Sequence, residues 1–244
     1  MITVSLRSAL APTGKLRVGI NHGNPVRANR DPKSGALHGI AVDLAHELGR
    51  RAELPLVLVP FEAAGKMSDA AKTGVWDVAF LAIDPKRAED IDFATPYVEI
   101  DGAYLVVKDS PFHTNADVDR AGVRIGVSGK SAYDLFLSRA IQHAALVRAT
   151  SPQSSIDLIV SGQVDVLAGV RQHLESEAGK NPNWRVFQES FMTIRQAVGV
   201  VKGRGDAVKY LVEFIESVKE SGFVAEAIKR SGVEGVTIAP PASK

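Results

Sequence analysis

Two places in this chain carry side chains suited to holding a small anion. One is Arg87, closing the run Asp84-Pro85-Lys86-Arg87; the other is the turn Gly126-Val127-Ser128-Gly129-Lys130-Ser131. A guanidinium offers paired N–H donors that match the two oxygens of a carboxylate. The Gly-Lys-Ser of the turn resembles the end of a nucleotide-binding loop, but that pattern needs a glycine five residues before the second one. Position 124 is Arg, so the spacing fails and a nucleotide site is excluded. What remains is a β-branched run (Val123, Ile125, Val127), a tight turn, and an apolar period of helical spacing (Tyr133, Phe136, Leu137). A strand entering a helix through a short turn aims backbone N–H groups at whatever lies above them, which makes an anion site.

The elements that must position these groups alternate along the chain. Leu16 to Ile20 reads as a strand, followed by the polar loop Asn21-His22-Gly23-Asn24 and a helix with Ile40, Leu44 and Leu48 on one face. Leu56 to Val59 reads as the next strand, bordered by Pro55 and Pro60, then a helix near Lys66–Lys72 and the strand Trp76–Leu81. The rhythm continues with a strand over Val123–Val127, a helix over Ser131–His143, a helix over Ile156–Val160, a strand over Val164–Leu167 and a late helix marked by Val208, Leu211, Val212 and Ile215. Such alternation predicts an α/β fold with largely parallel sheets. Two similar apolar strands, Ala103–Lys108 and Gln196–Lys202, bracket a middle segment with its own alternation. They predict two lobes joined by two crossing strands, residues 1–106 with 199–244 forming one lobe and 107–198 the other, with a ligand cleft between them.

Composition narrows the function. With 244 residues the chain has ample core for one large domain or two smaller ones. A net charge of +1 and few aromatics argue against nucleic acid as a partner. The absence of cysteine removes thiol chemistry and cysteine metal sites, and the six histidines show no ligand spacing, so no metal and no cofactor is assigned. The N-terminus lacks an apolar core of signal-peptide length, because Arg7 and the serines interrupt it. Ala9-Leu10-Ala11 has the small-residue look of a cleavage site, but a short helix ended by Pro12 and Gly14 is the reading adopted. No segment is apolar enough to span a bilayer.

Taken in order, the motifs carry a resemblance. Leu16-Arg17-Val18-Gly19, Gly39-Ile40-Ala41-Val42-Asp43-Leu44, Gly74-Val75-Trp76-Asp77-Val78, Asp84-Pro85-Lys86-Arg87, Ile91-Asp92-Phe93-Ala94-Thr95-Pro96-Tyr97 and Gly162-Gln163-Val164-Asp165-Val166 cover almost the whole chain. The chain resembles the bacterial extracellular solute-binding proteins of the polar-amino-acid type, which serve ABC transporters. The resemblance implies a two-lobed periplasmic-binding-protein-like (type II) fold that closes on its ligand at a hinge. It implies a monomer that hands a small carboxylate-bearing solute to the transporter's membrane subunits, and a periplasmic location. It places Arg87 on the ligand's carboxylate, and Ser128, Gly129, Lys130 and Ser131 in the turn that meets the same group. For Arg87 the other reading is a pair with Glu89 or Asp90; for Ser131 it is an ordinary helix cap.

Two departures bear on the ligand. The run from Asp77 to Arg87 is two residues shorter than the family's, and Phe80-Leu81-Ala82-Ile83 stands where hydroxyl side chains are usual, which leaves Leu81 and Ala82 as the contacts there. The acid that receives an α-ammonium group in the family falls near Gly169-Val170, and no acid is present. Burying an ammonium without a counter-charge is costly, so either Glu62, Asp84 or Glu99 takes that role or the ligand has no α-ammonium. Asn21, His22, Phe61 and Tyr97 complete the candidate lining, each with an ordinary packing or solvent-facing role as its alternative. Two other function classes stay open: a dehydratase of a cyclic carboxylate on the same scaffold, and an unexported small-molecule sensor.

Overall fold

The computed structural model describes residues 2–242. Contacts divide the chain into two units, one running up to Glu99 and again from Arg195 onward, the other Ile100–Ile194.

The first unit begins with α1 (Val4–Leu10), whose N-terminus is capped by the Thr3 hydroxyl accepting the Leu6 N–H. Then come β1 (Leu16–Asn21), a small hairpin of β2 (Asn29–Arg30) and β3 (Leu37–His38), α2 (Ile40–Ala52), β4 (Leu56–Phe61), α3 (Ala64–Asp69) and β5 (Val78–Ala82). The last strand of this pass is β6 (Ile91–Val107), which crosses into the second unit. The parallel order is β4-β1-β5, with Leu16 opposite Leu56 and Val18 opposite Val78. Pro60 lies inside β4, not at its border; in this order β4 has a parallel partner on one side only, where a missing N–H is tolerated. The apolar stripe of α2 packs Ile40, Leu44 and Leu48 into the core with Leu16, Val18 and Ile20 of β1.

The second unit repeats this plan. After α4 (Asn115–Val118) come β7 (Arg124–Ser128), α5 (Ala132–Ala140), β8 (Ala145–Ala149), α6 (Pro152–Val160), β9 (Val166–Val170), α7 (Arg171–Lys180) and β10 (Trp184–Val186). The parallel order is β8-β7-β9, and the second half of β6 runs antiparallel to β9, with Ala103 opposite Gly169. The chain returns through β11 (Met192–Val201), antiparallel to β5 with Val198 opposite Phe80, and ends in α8 (Gly205–Glu220), α9 (Phe223–Ser231) and β12 (Thr237–Ile238). The helix expected to reach His143 stops at Ala140. The N–H groups of Gln142, His143 and Ala144 all donate to the Asp119 carboxylate at 2.7–2.9 Å, which draws the chain out of the helical path. Strand β8 and helices α7 and α9 have no counterpart in the sequence expectations.

Each unit carries the same staple at the same point. Arg17, the second residue of β1, grips Asp77 with Nε and Nη2 at 2.8 Å each, and its own N–H also donates to that carboxylate. Arg124, opening β7, grips Asp165 in the same manner, with Nη2 at 2.8 Å and its N–H at 2.8 Å. In both, the aspartate's N–H returns to the arginine's carbonyl, at 2.8 Å and 2.9 Å. These closed rings fix the entry of the third parallel strand against the first.

Helix α2 is tied outward through Glu47. Its carboxylate accepts from Arg50 Nε and Nη2 and from Arg51 Nε, while Arg51 Nη1 reaches Ser217 on α8. The hydrogen bonds from Arg50, outweighing burial, hold the Glu47 carboxyl at about 2 against an ordinary 4.5. A depressed carboxyl contributes stability that is complete above the unfolded value and is lost as pH falls through the folded one. Urea unfolding of Glu47→Gln is therefore expected to show a deficit of about 1–2 kcal/mol at pH 6 that vanishes toward pH 2. A deficit that is independent of pH would remove the carboxylate's charge from the account.

Candidate functional site

In an open sheet of order 2-1-3, ligands gather outside the carboxyl ends of the strands, where the order reverses. In the first unit that place is the ends of β1 and β5; in the second it is the ends of β7 and β9. Most of the candidate residues fall at these ends, one group in each unit.

At the end of β1, Asn21 is buried, and its Oδ1 accepts the Gly23 N–H at 2.9 Å to shape the turn. A side chain on Gly23 would place its Cβ 1.9 Å from the Glu62 carbonyl oxygen, so only glycine lets this loop pass the end of β4. His22 donates its N–H to the Phe61 carbonyl, and its imidazole pKa is lowered by partial burial and by the Arg30 charge. Phe61 packs against the cluster of Met67, Trp76, Leu81 and Ile91. Leu81 is fully buried in that cluster, so its side chain is committed to packing.

The end of β5 is where charge concentrates. Ile83 donates its N–H to the Arg195 carbonyl on the β11 side. Backbone groups alternate along a strand, so Phe80 and Ala82 turn their carbonyls to the opposite edge. On that edge β1 pairs with β5 only at Val78 and Ala79. Both carbonyls beyond the pairing are taken by guanidinium groups: Arg87 Nη1 donates to Ala82 O at 2.8 Å, and Arg27 Nη1 to Phe80 O at 2.9 Å. Each arginine is only 4% exposed. Burial and the like charge of Arg27 pull the Arg87 guanidinium down to about 10, with Asp84 opposing the fall. Burial likewise lowers Arg27. Tyr97 lies inside β6 in the core, edge-on to Phe80 at 5.7 Å, and burial raises its phenol well above the usual range. Arg27 was not among the residues expected here; its only sequence signal is a charge set between Val26 and Ala28.

In the second unit the turn Ser128–Ser131 joins β7 to α5. Its N–H groups are spent internally: Gly129 donates to Ala149 O at 2.8 Å, Lys130 to the Asp134 carboxylate at 2.7 Å, and Ser131 to Ser128 O at 3.1 Å. Ser131 caps α5 by accepting the Asp134 N–H, and Lys130 sits in the left-handed region with φ of 57°. The first-turn N–H groups of Ala132 and Tyr133 are the ones a helix leaves without internal acceptors. Above them the buried Tyr133 phenol is pushed up to about 12 by burial, against hydrogen bonds with Ser131 and Ser128 that pull it down. Tyr133 is thus a further polar residue of this group, and its helical spacing had marked it only as core. Val170 stands at the N-terminus of α7 with no side-chain cap, and Gly169 packs against Leu174. The acids nearest that end, Asp101 and Glu175, belong to Arg171, which also donates to the carbonyls of Phe187 and Gln188.

Among the described residues no group of three or more histidine or acidic side chains is arranged to hold a metal, and no helix is long and apolar enough to cross a membrane.

Comparison with known proteins is consistent across sequence and structure. The pattern of the bacterial extracellular solute-binding proteins, family 3, matches residues 16–232. The ABC transporter glutamine-binding protein GlnH of Bacillus subtilis (strain 168) is 21% identical over 234 residues, covering 91% of this chain and 83% of that protein. The solute receptor for L-cysteine of Neisseria gonorrhoeae superposes with a TM-score of 0.82 at 21% identity, over 95% of this chain and 99% of that one. The ancestral amino acid-binding protein AncCDT-1, a precursor of cyclohexadienyl dehydratase, superposes with a TM-score of 0.77 at 20% identity, over 93% and 98%.

Proposed function

This chain belongs to the bacterial extracellular solute-binding proteins, family 3, and from that premise we propose that it captures a small carboxylate-bearing metabolite for an ABC-type uptake system. The loaded protein is presented in the periplasm to the transporter's membrane subunits. The observation that carries this reading is the Arg87 guanidinium, buried at the carboxyl end of β5 and anchored on the Ala82 carbonyl. A guanidinium presents a planar fork of N–H donors that matches the two oxygens of a carboxylate. The turn before α5 supplies the hydroxyls of Ser128 and Ser131. The solute lacks an α-ammonium group: the end of β9 offers Val170 in place of an acid, Asp101 and Glu175 pair with Arg171, Glu62 pairs with Lys66, Glu99 pairs with Arg195, and Asp84 faces Arg87.

Thermal unfolding with a panel of small carboxylates, half bearing an α-ammonium group and half not, tests the reading. Ligand at about a hundred times its Kd stabilises by about 2.7 kcal/mol, a rise in Tm of roughly 5–10 °C for a chain of this size. The amine-free acids are expected to produce it. A midpoint that no carboxylate moves would sink the proposal, and formation of a dehydrated product from a cyclic carboxylate would make the protein an enzyme on this scaffold.

A further inference from the structure

We propose that the solute is a dicarboxylate: Arg87 takes one carboxylate, and Arg27 together with the Tyr97 hydroxyl takes the other. The inference rests on the carboxylate reading of Arg87 and extends it to the identity of the ligand's far end.

The argument begins with the two guanidinium groups on one strand edge. Phe80 and Ala82 are two residues apart, so the carbonyls that anchor Arg27 and Arg87 lie about 6.6 Å from each other along β5. Two cations this close in a buried place repel; Asp84 acts on Arg87, while burial lowers Arg27 with no carboxylate opposing it. Among the described residues Arg27 has no ion pair, and its guanidinium makes one hydrogen bond, to Phe80 O. Its Nε is buried without a hydrogen-bond partner, and so is the Tyr97 hydroxyl, whose residue is 0% exposed. Arg27 and Tyr97 are electrostatic neighbours. Two donors, both dry and both without a hydrogen-bond partner, therefore lie against Phe80, Arg27 on its carbonyl and Tyr97 edge-on to its ring. Buried donors are almost always satisfied in folded proteins, so this pair marks the place of an acceptor that arrives with the ligand. A carboxylate, with two acceptor oxygens and a charge opposite to Arg27, meets that requirement. An amide oxygen would satisfy one donor but leave the charge, and an ammonium would be repelled by both arginines while finding the carbonyls of Phe80 and Ala82 already engaged.

The test is calorimetric titration of the full chain with succinate and glutarate, with their monomethyl esters, and with L-glutamine as the ammonium-bearing probe. A diacid is expected to bind at least tenfold more tightly than its half-ester, and L-glutamine more weakly than either. Arg27→Met is expected to abolish the diacid's advantage over its half-ester, and Tyr97→Phe to reduce it. If Arg27→Met does not fold, the diacid-to-half-ester ratio of the unaltered protein decides alone. Equal affinity for diacid and half-ester, with both lost in Arg87→Met, would overturn the second carboxylate while leaving the role of Arg87 intact. Tighter binding of L-glutamine than of the diacids would overturn it as well. Failure of every carboxylate to bind would remove the role of Arg87, and this inference with it.

Discussion

Asp77→Ala is expected to lower stability by about 3 kcal/mol, read as a fall in Tm of roughly 6–12 °C. The Asp77 side chain is wholly buried and serves three donors of Arg17, with Arg204 Nη1 at 3.5 Å as a second cation. Removing one partner of a buried pair leaves the other's charge uncompensated, which costs more than the pair itself contributes. Arg17 is 25% exposed and can recover some hydration, which keeps the loss below the upper end for a fully buried pair. The matching staple supplies an internal control. Asp165 is 33% exposed and Arg124 44%, so Asp165→Ala is expected to cost only about 1 kcal/mol. Urea unfolding of the two variants side by side checks the argument. Equal losses would show that burial does not set the difference, and the account of the first-unit staple would have to be abandoned.

The staples also show what the sequence made legible and what it hid. Gly74-Val75-Trp76-Asp77-Val78 and Gly162-Gln163-Val164-Asp165-Val166 stand out as repeated words, as do Leu16-Arg17-Val18-Gly19 and Val123-Arg124-Ile125-Gly126. Their pairing across 60 and 41 residues is a tertiary fact that no local period reports. Helix α2 was readable because its apolar stripe is long and regular. Strand β8 was not: Ala145, Leu146 and Val147 are only partly buried or exposed, so the alternation that identifies a strand is faint there. The crossing strand β6 begins at Ile91, far ahead of Ala103, because Thr95-Pro96 reads as a break while the backbone runs through it extended. Among the site residues, Arg87 and the turn at Ser128–Ser131 came from motif and resemblance. Arg27 and Tyr133 did not, since an isolated arginine and a tyrosine at helical spacing gain their meaning only from the strand edge and the turn they face.

Arg87→Met is expected to weaken solute binding on the order of 10²–10³-fold while changing the Tm of the unliganded protein little. Truncating one member of a buried, hydrogen-bonded charge pair costs about 2–5 kcal/mol of binding, which is the basis of the factor. The stability side follows from the charge's surroundings. The guanidinium is disfavoured by burial and by Arg27, and its attraction to Asp84 only partly offsets them. Methionine fills much the same volume and removes a cation that burial and Arg27 disfavour, but it also takes away the charge that faces the buried Asp84. Among the contacts it gives up is the hydrogen bond to Ala82 O, worth about 1 kcal/mol net. Relief of the repulsion with Arg27 acts against that loss. Arg87→Lys separates charge from geometry: an ammonium keeps the sign but not the planar fork, so its affinity is expected to fall between the two. Binding by calorimetry and unfolding by scanning calorimetry on the same three proteins decide the matter. A methionine variant that binds as tightly as the parent places the carboxylate elsewhere. One that binds weakly and also unfolds early makes Arg87 a structural residue of β5, and the buried cation then has to be explained by the fold, not by the ligand.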